Sequence, residues 1–204
     1  MARRGISRRK ALTSAVALGA ATVALTATVA PSRELPANRI RPPGALAEAD
    51  FLAACIRCGL CVQACPYDTL RLAALGAPIP VGTPYFTARE TPCHMCEKIP
   101  CVAACPTGAL QLADIGAADM GLAALSAADR CYSYTGAAYC DSCFQACPVK
   151  GRAIRMRHGR TPRGGSFQPV VDAEHCTGCG MCEDACILGG DAAITVRANH
   201  ATRR

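Results

Sequence analysis

The sixteen cysteines of this chain constrain it more than any other feature, because they fall into four groups of four with none left over. The first group is Cys55, Cys58, Cys61 and Cys65, followed by Pro66. The second is Cys93, Cys96, Cys101 and Cys105, with a wider middle gap, followed by Pro106. The third is Cys131, Cys140, Cys143 and Cys147, with a long first gap, followed by Pro148. The fourth, Cys176, Cys179, Cys182 and Cys186, repeats the spacing of the first, with Ile187 in the proline position. Aromatic residues make up only 4% of the chain and Trp is absent. Large side chains are therefore too few to fill an ordinary core, and something held by the cysteines has to occupy the interior.

The spacing decides what that is. The first quartet is the full bacterial run for binding [4Fe–4S] clusters, and the fourth matches it apart from the proline. Three cysteines two residues apart lie on a tight loop that wraps one cubane. The fourth lies past the turn and cannot easily return to the same cube, so it ligates a neighbouring one. Proline after it stops the local helix and fixes the backbone near the sulfur. Structural zinc calls for two Cys/His pairs separated by a longer spacer. Cysteines two apart on a tight loop do not meet disulfide geometry with each other. A c-type haem needs a C-x-x-C-H run, and none occurs. The expectation is four [4Fe–4S] clusters with all sixteen cysteines as ligands. The exchange of the fourth cysteine leaves open whether outer quartets pair with outer and inner with inner, or each with its neighbour in sequence.

The quartets sit in an internal repeat: each is followed by a turn and a short apolar run, Leu70/Leu72, Leu110/Leu112, Ile154/Met156 and Ile194/Val196. Two such units make a two-cluster module, with short strands bracketing the cluster loops and helices. The expected fold class is α+β, loop-rich, with two ferredoxin-like 2[4Fe–4S] modules in one chain over residues 48–200. Residues 201–204 are a short basic tail.

Residues 1–30 have a different character. They hold five of the 22 basic residues and none of the 15 acids, so the rest of the chain carries a net charge of only +2. That balance argues against nucleic acid as a partner, since phosphate neutralisation needs a dense basic footprint. A basic head followed by an uncharged stretch from Ala11 to Ala30 is the layout of an export signal. Within it, Ser7-Arg8-Arg9-Lys10-Ala11-Leu12 resembles the twin-arginine motif. That route carries folded proteins, which suits a cargo whose clusters are loaded before export. The expectation is a periplasmic protein, associated with the membrane through a partner or an uncleaved signal. Residues 31–47, rich in Pro and Ala, read as a linker with little regular structure.

Outside the cysteines the chemistry is thin. His94 lies inside the second quartet and His175 precedes Cys176; either is a solvent-exposed side chain or a donor that tunes a cluster through its sulfur. His158 and His200 have no evident role. Lys150, Arg152, Arg155, Arg157, Arg160 and Arg163 join the third and fourth quartets around Gly164-Gly165 and read as a hairpin or loop. That run is either a solvated, charge-balancing element or a docking patch for an acidic redox partner or anionic lipid. No nucleotide fingerprint and no nucleophile–base pair occurs, so no catalytic residue is expected; the identifiable chemistry is one-electron transfer.

From about Arg39 to Val196 the chain resembles the NapG/MauM group of ferredoxin-type proteins. The resemblance is carried by Arg41-Pro42-Pro43-Gly44-Ala45, by the segment from Cys55 to Leu70, by Gly82-Thr83-Pro84-Tyr85-Phe86, by Pro92 and Pro100 around the second quartet, by the long gap of the third quartet, and by Cys176-Thr177-Gly178-Cys179-Gly180. It implies an electron carrier working with a NapH/MauN-like membrane quinol dehydrogenase subunit and a periplasmic redox acceptor, of nitrate reductase or methylamine utilisation type. A maturation accessory of a periplasmic dehydrogenase and the iron–sulfur subunit of a molybdenum oxidoreductase are the alternatives. Four-cluster subunits of this general type imply nested cubes. These are Cys55/Cys58/Cys61 with Cys186, Cys176/Cys179/Cys182 with Cys65, Cys93/Cys96/Cys101 with Cys147, and Cys131/Cys140/Cys143 with Cys105.

Overall fold

Loops that turn several sulfurs toward one point leave little room for long regular elements, and the chain's helices and strands are accordingly short. The computed structural model describes residues 35–199. The twin-arginine-like segment, the first residues of the expected linker, His200 and the basic tail lie outside them. Helix α1 (Glu48–Ala54) precedes the first quartet. One short helix then starts within each quartet: α2 (Leu60–Gln63), α3 (Pro100–Ala103), α5 (Ser142–Ala146) and α6 (Met181–Asp184). Helix α4 (Tyr132–Thr135) fills the long gap of the third quartet. Among the described residues no helix is long and apolar enough to cross a membrane.

The strands form three antiparallel pairs: β1 (Arg71–Leu72) with β2 (Pro84–Tyr85), β3 (Gly121–Leu125) with β6 (Ile194–Ala198), and β4 (Ile154–Thr161) with β5 (Gly164–Val171). The apolar runs of the repeat fall where expected. Leu72 lies in β1, Ile154 and Met156 in β4, Ile194 and Val196 in β6, while Leu110 makes a single bridge to Ala45. Each strand is reached from its quartet by a turn, which returns the chain across the cysteine loop it has just made.

Residues 35–47 are not a free linker. They lack regular elements, as expected, but Leu35, Ile40, Arg41, Pro42 and Pro43 are buried. Ile40 and Phe86 exchange backbone hydrogen bonds of 2.9 and 2.8 Å. Arg41 is 1% exposed and fully engaged. It pairs with both carboxylate oxygens of Glu48 at 2.6 and 3.0 Å, donates to Thr83 Oγ1 (2.9 Å) and the Pro84 carbonyl (2.8 Å), and lies over the Phe51 ring. A buried guanidinium is tolerable only when its donors are satisfied in this way. At Gly44, with φ +74°, a Cβ would meet the Gln111 carbonyl at 2.8 Å, so only glycine lets the two segments approach so closely. The packed domain therefore takes in residues 35–47 as well as those from residue 48 on. What an apolar linker would leave open is closed here by one salt-bridged arginine.

Candidate cluster-binding cages

The third cysteine of every quartet, Cys61, Cys101, Cys143 and Cys182, is buried, and each sits in the first turn of its short helix. Local sequence explains the placement. Gly59 and Gly180 precede α2 and α6 in the left-handed conformation, with φ of 77° and 88°, and Ile99 takes the same region before Pro100 at the start of α3. That reversal turns the chain sharply into the helix and points the sulfur inward. At α5 the turn is made instead by Asp141, outside the left-handed region.

The described cysteines are all free thiols, and they line four cavities, four to each. The first cage holds Cys55, Cys58, Cys61 and Cys105. The second holds Cys93, Cys96, Cys101 and Cys65. The third holds Cys176, Cys179, Cys182 and Cys147. The fourth holds Cys131, Cys140, Cys143 and Cys186. In each, three thiols come from one quartet and the last from its neighbour, which is the exchange expected from the spacing. The partners differ from the nested arrangement. Cys65 joins the second quartet rather than the fourth, Cys105 the first rather than the third, Cys147 the fourth rather than the second, and Cys186 the third rather than the first. The physical reason lies in the helices: α2 packs on α3, and α5 on α6. Each pair of consecutive quartets thus faces itself, and the fourth cysteine of one is delivered to the loop of the other.

The cages suit a polynuclear thiolate-bound centre. The four cages are close to one another in size, each lined by four thiols and mostly apolar side chains, so they can hold the same object. Burial pushes Cys61 and Cys101 up to about 11 and Cys93 and Cys143 up to about 12, and the neighbouring thiols push further in the same direction. Cys182 is raised for the same two reasons. Thiols gathered so closely in apolar surroundings ionise only if a cation shares the site, and thiolate is the form that binds iron. Cys105 goes the other way. Burial alone would raise it, but the backbone N–H groups of Leu110, Thr107 and Ala109 and the Thr107 hydroxyl outweigh it and lower the pKa. The Ala123 amide likewise donates to Cys176 Sγ at 3.5 Å. At Gly178, with φ +72°, an added Cβ would collide with the backbone of Gly121, so the third cage's loop lies flush against β3.

Of the described histidines, His94 lines the second cage and His175 directly precedes Cys176 of the third. His94 is exposed and stacks on Tyr67, with ring centroids 4.0 Å apart. His175 Nδ1 lies 3.4 Å from Asp172 Oδ1. Two features of the site escaped the sequence. One is the Thr107 hydroxyl 3.8 Å from Cys105 Sγ; a Thr two residues past a cluster cysteine is the signal that could have found it. The other is β3, which has no quartet of its own and brings Ala123 to Cys176.

Four cages of exchanged thiols in a small α+β chain define a protein of the multi-cluster ferredoxin class. Residues 54–109 and 139–189 match the family described as a 4Fe-4S dicluster domain; the first stretch holds both quartets of its pair, and the second holds its pair apart from Cys131. The chain is 50% identical over 196 residues to the methylamine utilization ferredoxin-type protein MauM of Methylorubrum extorquens, covering 93% of this chain and 88% of that one. It is 48% identical over 200 residues to MauM of Paracoccus denitrificans, covering 95% and 88%. To the ferredoxin-type protein NapG of Escherichia coli it is 47% identical over 155 residues, covering 74% and 67%. The chain belongs to the MauM/NapG family of ferredoxin-type proteins, and its cofactors are [4Fe–4S] clusters.

Proposed function

We propose that the chain is a periplasmic relay carrying four [4Fe–4S] clusters, one in each cage, exported folded by the twin-arginine route. It takes electrons from a NapH/MauN-like membrane quinol dehydrogenase subunit and passes them to a periplasmic oxidoreductase system. The methylamine utilisation type is favoured, because MauM relatives align over 81–95% of the chain and NapG relatives over 74–77%.

The observation that carries the relay is the order of the cages. Cys61 of the first feels Cys101 of the second. Cys93 of the second feels Cys179 of the third, and its amide donates to the Cys179 carbonyl. Cys182 of the third feels Cys143 of the fourth. The packing of α2 on α3, the Cys93–Cys179 hydrogen bond and the packing of α5 on α6 thus link the cages first to second to third to fourth, with the first and fourth at the ends. Clusters supply one-electron chemistry; the chain's part is to hold them in line and screen them from water.

The first cage has the surroundings of an entry point on an apolar partner. Cys58 is exposed, and Ile56, Leu60, Leu72 and Val81 near it are exposed large apolar residues. Leu72 and Gly59 approach each other closely, as do Arg57 and Gly82, so these residues form one surface. Exposed apolar patches of this kind mark protein or membrane contacts. Co-purification of the cluster-loaded chain with the membrane subunit, followed by addition of a quinol, tests the reading. Bleaching of the cluster absorbance near the extent reached with dithionite is expected. No bleaching by quinol, with full bleaching by dithionite, would overturn it.

A further inference from the structure

We propose that the β4–β5 hairpin is a docking arm for an acidic redox protein and that the fourth cage is the exit through which that partner is served. The inference rests on the relay reading above and names the partner's chemistry at its far end.

Three observations carry it. The first is charge. Residues 142–171 contain six cations, Lys150, Arg152, Arg155, Arg157, Arg160 and Arg163, and no acid. Arg155 is taken up by Asp172 at 3.6 Å and the Gly151 carbonyl at 3.2 Å. Arg157, Arg160 and Arg163 are exposed, and among the described residues no side-chain hydrogen bond or ion pair engages them. A solvated, charge-balancing loop would be expected to find acids within reach, whereas these three meet none.

The second is form. Arg155, Arg157 and Arg160 stand on β4, whose eight residues pair with β5 from Ile154↔Val171 to Thr161↔Gly164, and Arg163 sits in the turn that joins the two strands. Thr161 Oγ1 accepts from the Arg163 amide and donates to the Gly164 carbonyl, which fixes the tip. Such an arm presents its charges at set spacing, and binding to it costs little ordering entropy.

The third is position. Pro169 of β5 lines the fourth cage, and the hydroxyl of Tyr134 in α4 donates to its carbonyl at 3.0 Å. Gly136, between Cys131 and Cys140, packs against Thr161 and Arg163 so closely that a side chain there would collide with them. At the same cage, Tyr139, adjacent to Cys140, is 67% exposed, and Ile187, which lines the cage, is 58% exposed. Arginine with tyrosine around a small apolar centre is the composition of protein interfaces. An anionic lipid surface would satisfy the charge but has no use for a cage at the same place.

The test uses the full cluster-loaded chain and two probes with the same haem: native cytochrome c, which is basic, and succinylated cytochrome c, which is acidic. The dithionite-reduced chain should reduce the acidic probe rapidly at low ionic strength and more slowly as salt rises. The triple variant Arg157→Glu/Arg160→Glu/Arg163→Glu should lose at least tenfold in that rate at low salt and keep or gain rate with the native probe. The Arg→Lys triple should keep the parent behaviour. Iron content and visible absorbance, unchanged in both variants, show that the cages are intact. A rate with the acidic probe that stays within twofold in the Glu variant would overturn the proposal. So would a variant defect confined to flotation with phosphatidylglycerol vesicles, which would assign the arm to the membrane. A chain that reduces the native but not the acidic probe removes the docking arm and leaves the relay standing; one that reduces neither removes both.

Discussion

The amide of Cys93 donates a 2.8 Å hydrogen bond to the carbonyl of Cys179, which ties a ligand of the second cage to a ligand of the third. It is one of the bonds that join the two dicluster halves. Other bonds cross at the same seam. The Met120 amide donates to the Thr177 carbonyl at 3.0 Å, and the Thr177 hydroxyl to Met95 Sδ at 3.6 Å. Arg89 is the strongest clamp: its guanidinium donates to the carbonyls of Glu183, Cys186 and Leu188 at 2.6, 2.9 and 2.6 Å. The Glu183 carbonyl is left over at the end of α6 and the other two lie just past it, and a cation is the natural partner for them.

Arg89→Ala should therefore loosen the seam. Hydrogen bonds from a charged donor contribute about 1.5–3 kcal/mol each, and several are lost together, though not additively. The expected outcome is a several-fold faster release of iron to a chelator, with four clusters still present at the start. Release at the parent rate would show that the seam does not depend on Arg89.

The Arg41–Glu48 pair makes a second prediction. Removing one partner of a buried ion pair costs about 3–5 kcal/mol, because the other charge stays behind unpaired. Glu48→Ala should lower the apparent melting temperature of the loaded protein strongly. Glu48→Gln, which keeps an acceptor for Arg41, should lower it less. Equal effects of the two substitutions would mean that the charge of Glu48 is unimportant.

Thr107 bears on redox tuning. Hydrogen bonds to cluster sulfur stabilise the reduced, more negative state and raise the potential. Thr107→Val removes the hydroxyl 3.8 Å from Cys105 Sγ while keeping the side chain's shape. An EPR-monitored titration should find one potential lowered, by tens of millivolts at most, with the others unmoved. An unchanged set of potentials, or a general shift, would contradict this.

Iron removal exposes the cost of gathering thiols. In the iron-free fold burial, with neighbouring thiols adding to it, raises Cys61 and Cys101 to about 11 and Cys93 and Cys143 to about 12, from 9.0. The fold then holds protons that the unfolded chain gives up, so stability is level below about pH 9 and falls as pH rises from there toward 12. Urea midpoints of the chelated, reduced protein should decrease steadily between pH 8.5 and 11, values chosen at about that window. A midpoint that rises over the same range would contradict the sign.

Much of this architecture was legible in the sequence. The quartets, the exchange of each fourth cysteine, and the strands at Ile154 and Ile194 all follow from local spacing. What was not legible depends on contacts between distant segments. Residues 35–47 read as linker because Pro and Ala carry no periodicity, and nothing local announces that Arg41 will find Glu48 and Thr83. Strand β3 has little pattern of its own and exists through its pairing with β6. The cage partners were hidden for the same reason. Spacing says that Cys65 must leave its own loop, but the packing of α2 on α3 decides where it goes.

That last relationship can be tested by counting clusters in paired variants with native mass spectrometry. Cys65→Ala/Cys96→Ala removes two ligands from one cage in this account and should leave three clusters. Cys65→Ala/Cys179→Ala strikes two cages and should leave two. Nested cubes predict the reverse, two clusters from the first variant and three from the second, and that result would contradict the arrangement of the cages from which the relay is built.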